Sequence, residues 1–256
     1  MTGRTDGPSL RLITAGAPRP GQVWPCLDDR QRAWLTQAVE QTRHTPERIE
    51  AVFPAVGRRC GRAPLRRPDR LGLVHGTIDD AARLELLLAL PVPVSASVLI
   101  GLYRHGDTGE RRAVLRALPW LELTPAKCSM LAGAVVADAL RTNDPRLVAA
   151  ALGPAARLIG DDLWHDGVVK TFYLDIPLAA VADLEQRADL ELARKVLHLV
   201  HERVAAGRDA PVHVHRILDL FPKLMPSPAL LIELEAADPR RRAAAHRVVF
   251  PVEHGR

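Results

Sequence analysis

The sequence is poor in aromatic side chains, 4% of its 256 residues, and holds only three cysteines. Sparse aromatics leave few platforms for stacking nucleobases, so a net charge of +5 does not by itself make a nucleic-acid binder. Cys26, Cys60 and Cys128 lie far apart and form no CxxC pair, which argues against zinc or redox work and against a disulfide framework. A reducing, cytoplasmic setting is expected. Lysine is also scarce: Lys127, Lys170, Lys195 and Lys223 are the four lysines among 35 basic residues, and the rest are arginine. No long unbroken apolar run exists. Leu10–Ala17 is interrupted by Thr14 and Gly16 and is too short for a secretory signal, and Leu86–Tyr103, although uncharged, carries Pro91 and Pro93. Prolines would strip hydrogen bonds from a span in lipid, so two buried helices joined at Pro-Val-Pro are expected and no transmembrane segment. A Gly-rich phosphate loop, a nucleophile elbow, a Rossmann fingerprint and an HExxH motif are all missing.

What remains is a soluble-type composition, 47% hydrophobic and 25% charged. Residues 1–27 are dense in Pro and Gly and read as a disordered tail; residues 247–256 read as a second tail, leaving one domain over 28–246. Helix starts are frequent. Thr45-Pro46, Thr124-Pro125, Asp144-Pro145, Ser227-Pro228 and Asp238-Pro239 each put an oxygen-bearing cap before a proline, whose missing N–H costs nothing in a first turn. Thr77 with Asp80 and Asp107 with Glu110 have the spacing of reciprocal caps or close to it. Gly57, Gly106, Gly160 and Gly207 are expected to end helices in the left-handed conformation. Ala193, Val196, Leu197, Val200 and Val204 share one helical face, and the small, apolar stretch around Leu131–Ala137 predicts a central helix over about 124–141. Val212–His215 hints at a strand, but Val214, Ile217, Leu218 and Phe221 fit a helix better. The sum is an all-α protein whose helical hairpins stack as an irregular HEAT-like α-solenoid, or, as the alternative, form a compact irregular bundle.

Several ordered blocks carry a family resemblance. Phe53-Pro54-Ala55-Val56-Gly57-Arg58-Arg59, then Leu102-Tyr103-Arg104-His105-Gly106-Asp107-Thr108-Gly109-Glu110-Arg111 running on to Leu115-Arg116-Ala117-Leu118-Pro119, resemble the EboA family. So do Ala139-Leu140-Arg141-Thr142-Asn143, Trp164 with Val168, Val169 and Lys170, Ile176-Pro177-Leu178, Arg187–Arg194 and Glu202–Arg208, together covering about residues 48–222. Three places depart from the family pattern: Gly153 within Leu152-Gly153-Pro154, His165 within Trp164-His165-Asp166, and Val204 where the family has tryptophan. The resemblance implies a bacterial gene cluster for a secondary metabolite, encoding a UbiA-like prenyltransferase and a sugar-phosphate cyclase-like enzyme. It names a pathway, with those proteins as possible partners, and leaves the chemistry of this component open.

The residues offer four constellations. Arg58, Arg59, Arg62, Arg66, Arg67 and Arg70 form the densest basic run; forked guanidiniums recognise phosphates, and in the family context a phosphorylated or prenylated anion would be the guest, with Arg58 and Arg62 favoured. A solvated basic loop is the plainer account. Trp164, His165, Asp166 and Lys170 suggest a weak acid–base group with an anion-holding lysine, against a surface Asp166–Lys170 pair at i, i+4. His198 and His201 are a weak metal alternative, with solvated histidines the plainer reading and no cofactor expected. Asp107 and Glu110 read as caps before they read as catalytic carboxylates. The expected role is therefore an accessory protein that binds a pathway enzyme or an anionic intermediate, with a metal-independent enzyme acting on a sugar phosphate or prenyl diphosphate as the alternative.

Overall fold

The computed structural model describes residues 18–251. Among the described residues the chain is helical throughout, and extended pairing is limited to one isolated bridge between Pro64 and Thr77. In chain order the α-helices are α1 (Asp29–His44), α2 (Ile49–Val52), α3 (Val56–Arg59), α4 (Ile78–Leu88), α5 (Ala96–His105) and α6 (Thr108–Ala117). Then come α7 (Pro125–Leu131), α8 (Ala137–Arg141), α9 (Pro145–Leu152), α10 (Asp161–Tyr173), α11 (Leu184–Arg187) and α12 (Leu190–Ala205). The last are α13 (His215–Leu218), α14 (Pro228–Leu234) and α15 (Pro239–Val249).

Local chemistry explains most of the boundaries. Asp144, Ser227 and Asp238 accept backbone N–H bonds from the first turns of α9, α14 and α15, and each is followed by proline. Asp107 accepts from the Glu110 amide at 2.9 Å, and the Thr77 amide donates to Asp80 Oδ2 at 3.0 Å. The glycine stops are more varied than expected. Gly207 alone of the four is left-handed, at φ +66°; Gly106 ends α5 in extended backbone, Gly160 precedes α10 as its cap, and Gly57 lies inside α3. Gly57 instead lies under the Arg62 side chain: a Cβ there would stand 2.5 Å from Arg62 Nε and would displace that flexible guanidinium.

The predicted helix over 124–141 forms as α7, a π-helical turn at Ala132–Val136, and α8. It is not central on all sides. Val135, Val136, Ala139 and Leu140 are buried, while Ser129, Met130 and Gly133 face solvent. Leu86–Tyr103 resolves into the ends of α4 and α5 around Pro91–Pro93, and among the described residues no helix is long and apolar enough to cross a membrane.

The helices pack in sequence: α1 on α4, α4 on α6, α6 on α9, α9 on α10, α10 on α12, and α12 on α14 and α15. One continuous apolar core follows that line, from Leu35 through Leu84, Leu115, Val148 and Trp164 to Val200 and Ala244. It includes residues expected in the tails. Val23 is fully buried, Leu27 nearly so, and Val248 packs inward from α15, so the ordered body extends beyond 28–246 at both ends. The remainder of the expected N-terminal tail, residues 1–17 with the Leu10–Ala17 stretch, and residues 252–256 lie outside the described residues.

Candidate functional site

The arginine block does not assemble into one anion site. Arg58, Arg66, Arg67 and Arg70 are exposed. Arg59 lies over the Trp34 ring at 6.0 Å, and Arg62 crosses Gly57 to meet Asp107 at 3.3 Å. The intervening Asp69 is spent on its own loop, accepting from the amides of Leu73, Val74 and His75.

The second constellation comes apart as well. Trp164 is fully buried, with the Arg187 guanidinium 4.5 Å from its ring centre, so its faces are not open to a ligand. His165 is buried beside it and approaches Asp189, the cap of α12, at 3.2 Å. Asp166 pairs with Lys195 of α12 at 2.5 Å rather than with Lys170. Lys170 instead donates to the Leu140 carbonyl at 3.0 Å, satisfying one of the orphan acceptors at the end of α8. Packing decides this: α10 lies against α9 and α12, whereas α3 lies against α1 and α4. His198 and His201 also part company. His198 pairs with Glu202 at 3.4 Å in solvent, and His201 Nε2 meets Ser227 Oγ at 2.7 Å, where burial lowers its pKa. Among the described residues no three His, Cys, Asp or Glu side chains gather as a metal ion requires. The three departures from the family pattern, Gly153, His165 and Val204, are all interior positions.

What the fold does bring together is the first two resembling blocks, with α4 between them. Asp79 and Asp80 start α4, and Arg112 and Arg116 lie one turn apart on α6, all four buried. Arg112 Nε donates to Asp80 Oδ1 at 2.8 Å, and its Nη2 to Thr77 Oγ1 at 2.6 Å. Arg116 reaches Asp80 at 3.5 Å and donates to the Gly72 and Leu73 carbonyls, tying the 66–77 loop down. Burial drives the Arg116 pKa down to about 10. Arg83, with no exposed surface, donates through Nη1 to Asp79 at 2.7 Å and through Nε to the Phe53 carbonyl at 3.1 Å, while its carbon rests 5.3 Å from the Phe53 ring centre. Its Nη2 has no hydrogen-bond partner and stands 4.0 Å from Glu110 Oε1. Sequence reading passed over this seam, although Asp79/Arg83 and Arg112/Arg116 at i, i+4 were visible as its signal.

Glu110 forms the boundary between the seam and an open cleft of about 480 Å³. Glu50 of α2 and Pro54 make one wall; Ser97, Gly101, Leu102 and His105 of α5 make the other. Gly106 allows α5 and α6 to close at the base, since a Cβ there would lie 2.6 Å from the Leu102 carbonyl oxygen and 2.7 Å from Glu110 Cβ. Gly101 is different. It sits mid-helix, where glycine costs about 0.5–1 kcal/mol relative to alanine, yet a Cβ would meet nothing within 4 Å. Burial, reinforced by the like charge of Asp107, raises the Glu110 pKa. At Asp107 burial is outweighed by the Glu110 amide and by Arg83 and Arg62, and the pKa falls.

No curated protein and no solved structure matches the chain. A family model described as metabolite traffic protein EboA matches residues 23–219, which takes in both walls of the cleft and the ionic seam behind it. The match spans well over half of the sequence, and the chain therefore belongs to the EboA family.

Proposed function

We propose that this chain is a metabolite-handling accessory protein that holds a small molecule in the cleft between α2, α5 and the start of α6, on a stacked, HEAT-like array of helices. The observation that carries this reading is Gly101. A glycine inside a helix that is neither crowded nor at positive φ has a stability cost and no packing reason, and here its bare backbone leaves a cleft of ligand size open. The wall behind it is rigid by construction, because Arg83, Asp79, Asp80, Arg112 and Arg116 are locked to one another without solvent. Such a wall can preorganise a site at little entropic cost on binding. The family description, metabolite traffic, is in keeping with a carrier or chaperone of a small molecule.

The catalytic alternative has less support. Trp164, His165, Asp166 and Lys170 face separate partners, and the cleft holds no nucleophile paired with a base. The exposed arginines at 58, 66, 67 and 70 favour a second contact, with an acidic surface of a pathway protein such as the UbiA-like prenyltransferase or the cyclase-like enzyme. Mass spectrometry of the chain purified gently from its own producer tests the main reading. The expected result is a co-purifying small molecule that is absent from a Gly101→Leu variant of unchanged thermal stability; an identical small-molecule profile in the two would defeat it.

A further inference from the structure

The hydrogen-bonding capacity of the cleft is one-sided. Glu50 contributes a carboxylate from an exposed position on α2. His105 Nδ1 lies 3.0 Å from the Gly101 carbonyl oxygen, and because a carbonyl can only accept, Nδ1 donates its hydrogen there, away from a guest. Ser97 is already engaged with Ser95 at 2.7 Å. Among the described residues no lysine or arginine lines the cleft. Arg62 pairs with Asp107, and Arg83 with Asp79 and the Phe53 carbonyl. The α5 helix also ends here, at Gly106, and the last carbonyls of a ten-residue helix carry partial negative charge.

A second observation is independent of this count. Glu110 is 8% exposed; its carboxylate takes the Asp107 amide and stands 4.0 Å from Arg83 Nη2, and what remains accessible of it lines the cleft. The cleft also carries an apolar lining, Pro54 on one wall and Val98 and Leu102 on the other.

From these observations we infer that the guest of this cleft is a protonated amine on a compact apolar body, its N–H groups shared between Glu110 and Glu50 and its carbon frame laid against Pro54, Val98 and Leu102. The inference rests on the proposed metabolite-holding role and replaces the anionic guest that the arginine block suggests. An ammonium has three donors, no acceptor and a positive charge, which matches a cleft lined by two carboxylates and, among the described residues, by no lysine or arginine. A phosphate or carboxylate entering here would meet two like charges and a helix C-terminus.

Three probes of nearly the same shape separate the possibilities: cyclohexylammonium, cyclohexanol and cyclohexanecarboxylate, each titrated into the full chain and read by saturation-transfer NMR. Cyclohexylammonium is expected to bind about tenfold or more tightly than either twin, as charge-assisted hydrogen bonds to a carboxylate allow. Gly101→Leu, which fills open space, is expected to abolish binding. Glu110→Gln should weaken it about tenfold, and Glu50→Gln, at an exposed position that cannot disturb the core, should weaken it in the same direction. Binding that Gly101→Leu abolishes but that prefers the alcohol or the carboxylate would overturn the amine assignment and leave the cleft as a binding site. Ammonium binding indifferent to both glutamine variants would overturn it too. If no probe shows binding sensitive to Gly101→Leu, the assignment and the metabolite-holding role fall together.

Discussion

Two helix pairs of this protein solve the same packing problem with opposite chemistry. Between α4 and α6 the contact is ionic: Asp79, Asp80, Arg83, Arg112 and Arg116 are all within 6% of full burial. Between α9 and α10 it is apolar and close, with Leu152 and Leu140 seated over Gly167, where a Cβ would lie 2.9 Å from Leu152 Cδ2 and 3.2 Å from Leu140 Cδ2. An apolar seam is held by volume and tolerates any side chain that fills the same space. An ionic seam is held by geometry, since every charge must find its partner or incur a desolvation penalty, and replacing it by hydrocarbon is often neutral for stability. Its retention beside the cleft is thus better explained by the fixed positions it imposes on Glu110, Asp107 and the 66–77 loop than by any net gain in folding energy.

The largest expected effect comes from breaking the ionic seam on one side. Asp80→Ala removes the carboxylate shared by Arg112, Arg116 and the Thr77 amide, and urea unfolding should show a loss of about 3–5 kcal/mol. Leu152→Ala in the apolar seam should lose about 2–5 kcal/mol, toward the lower end where Leu140 can close over Gly167. The contrast becomes sharper in the partial substitutions. Leu152→Met should be nearly silent, whereas Asp80→Asn, equally close in shape, should remain strongly destabilising because it removes the negative charge that the buried Arg112 and Arg116 both face. Equal losses for those two variants would contradict the distinction drawn between the seams.

Alkaline titration examines the rim of the ionic half. Burial, only partly offset by the Arg111 hydrogen bond, pushes the Tyr103 phenol up to about 12, and its hydroxyl donates to Asp138 at 2.9 Å. A raised acid pKa favours the protonated folded state, so its contribution is complete below the ordinary phenol value of about 10 and disappears as the pH rises through 12. In a Tyr173→Phe background, which leaves Tyr103 as the chain's other tyrosine, ultraviolet titration should show a single phenolate forming near pH 12 in the folded protein. The smallest effect belongs to ion pairs outside either seam. Arg216→Ala, breaking a 3.2 Å pair with Glu185 that is half exposed on both sides, should change stability by about 0–1 kcal/mol and become neutral at high salt.

Much of the helical framework was legible in the residues, because caps and periodicity act within one turn. Asp107, Asp144, Ser227 and Asp238 do what their spacing predicts, and Val212–Phe221 declines the strand in favour of a turn of helix at His215–Leu218. Glycine was less legible. The same residue type serves as a left-handed stop at Gly207, as clearance for Arg62 at Gly57, and as an open wall at Gly101, and nothing local distinguishes these uses. The site residues were hardest to read. Asp166 and Lys170 sit at ideal spacing for a pair, yet each finds a stronger claim on another helix. A cluster of arginines drew attention to phosphate, while the arginines that form the ionic seam are buried in the neighbouring helices, Arg83 in α4 and Arg112 and Arg116 in α6.

The sequence by itself determined that this chain is all α, where most of its helices begin, and to which family it belongs. Those properties depend on side chains within a few residues of one another, or on ordered blocks that survive as strings. Only the tertiary structure decided that Glu50, Gly101 and Glu110, from three helices, border one cleft, and that Arg62 and Arg83 are paired with Asp107 and Asp79. The physical reason is that a charge is defined by what neutralises it. A basic sequence predicts an anionic guest only until the fold has assigned its arginines to its own carboxylates and carbonyls, and what is left over around the cleft is a surplus of acceptors.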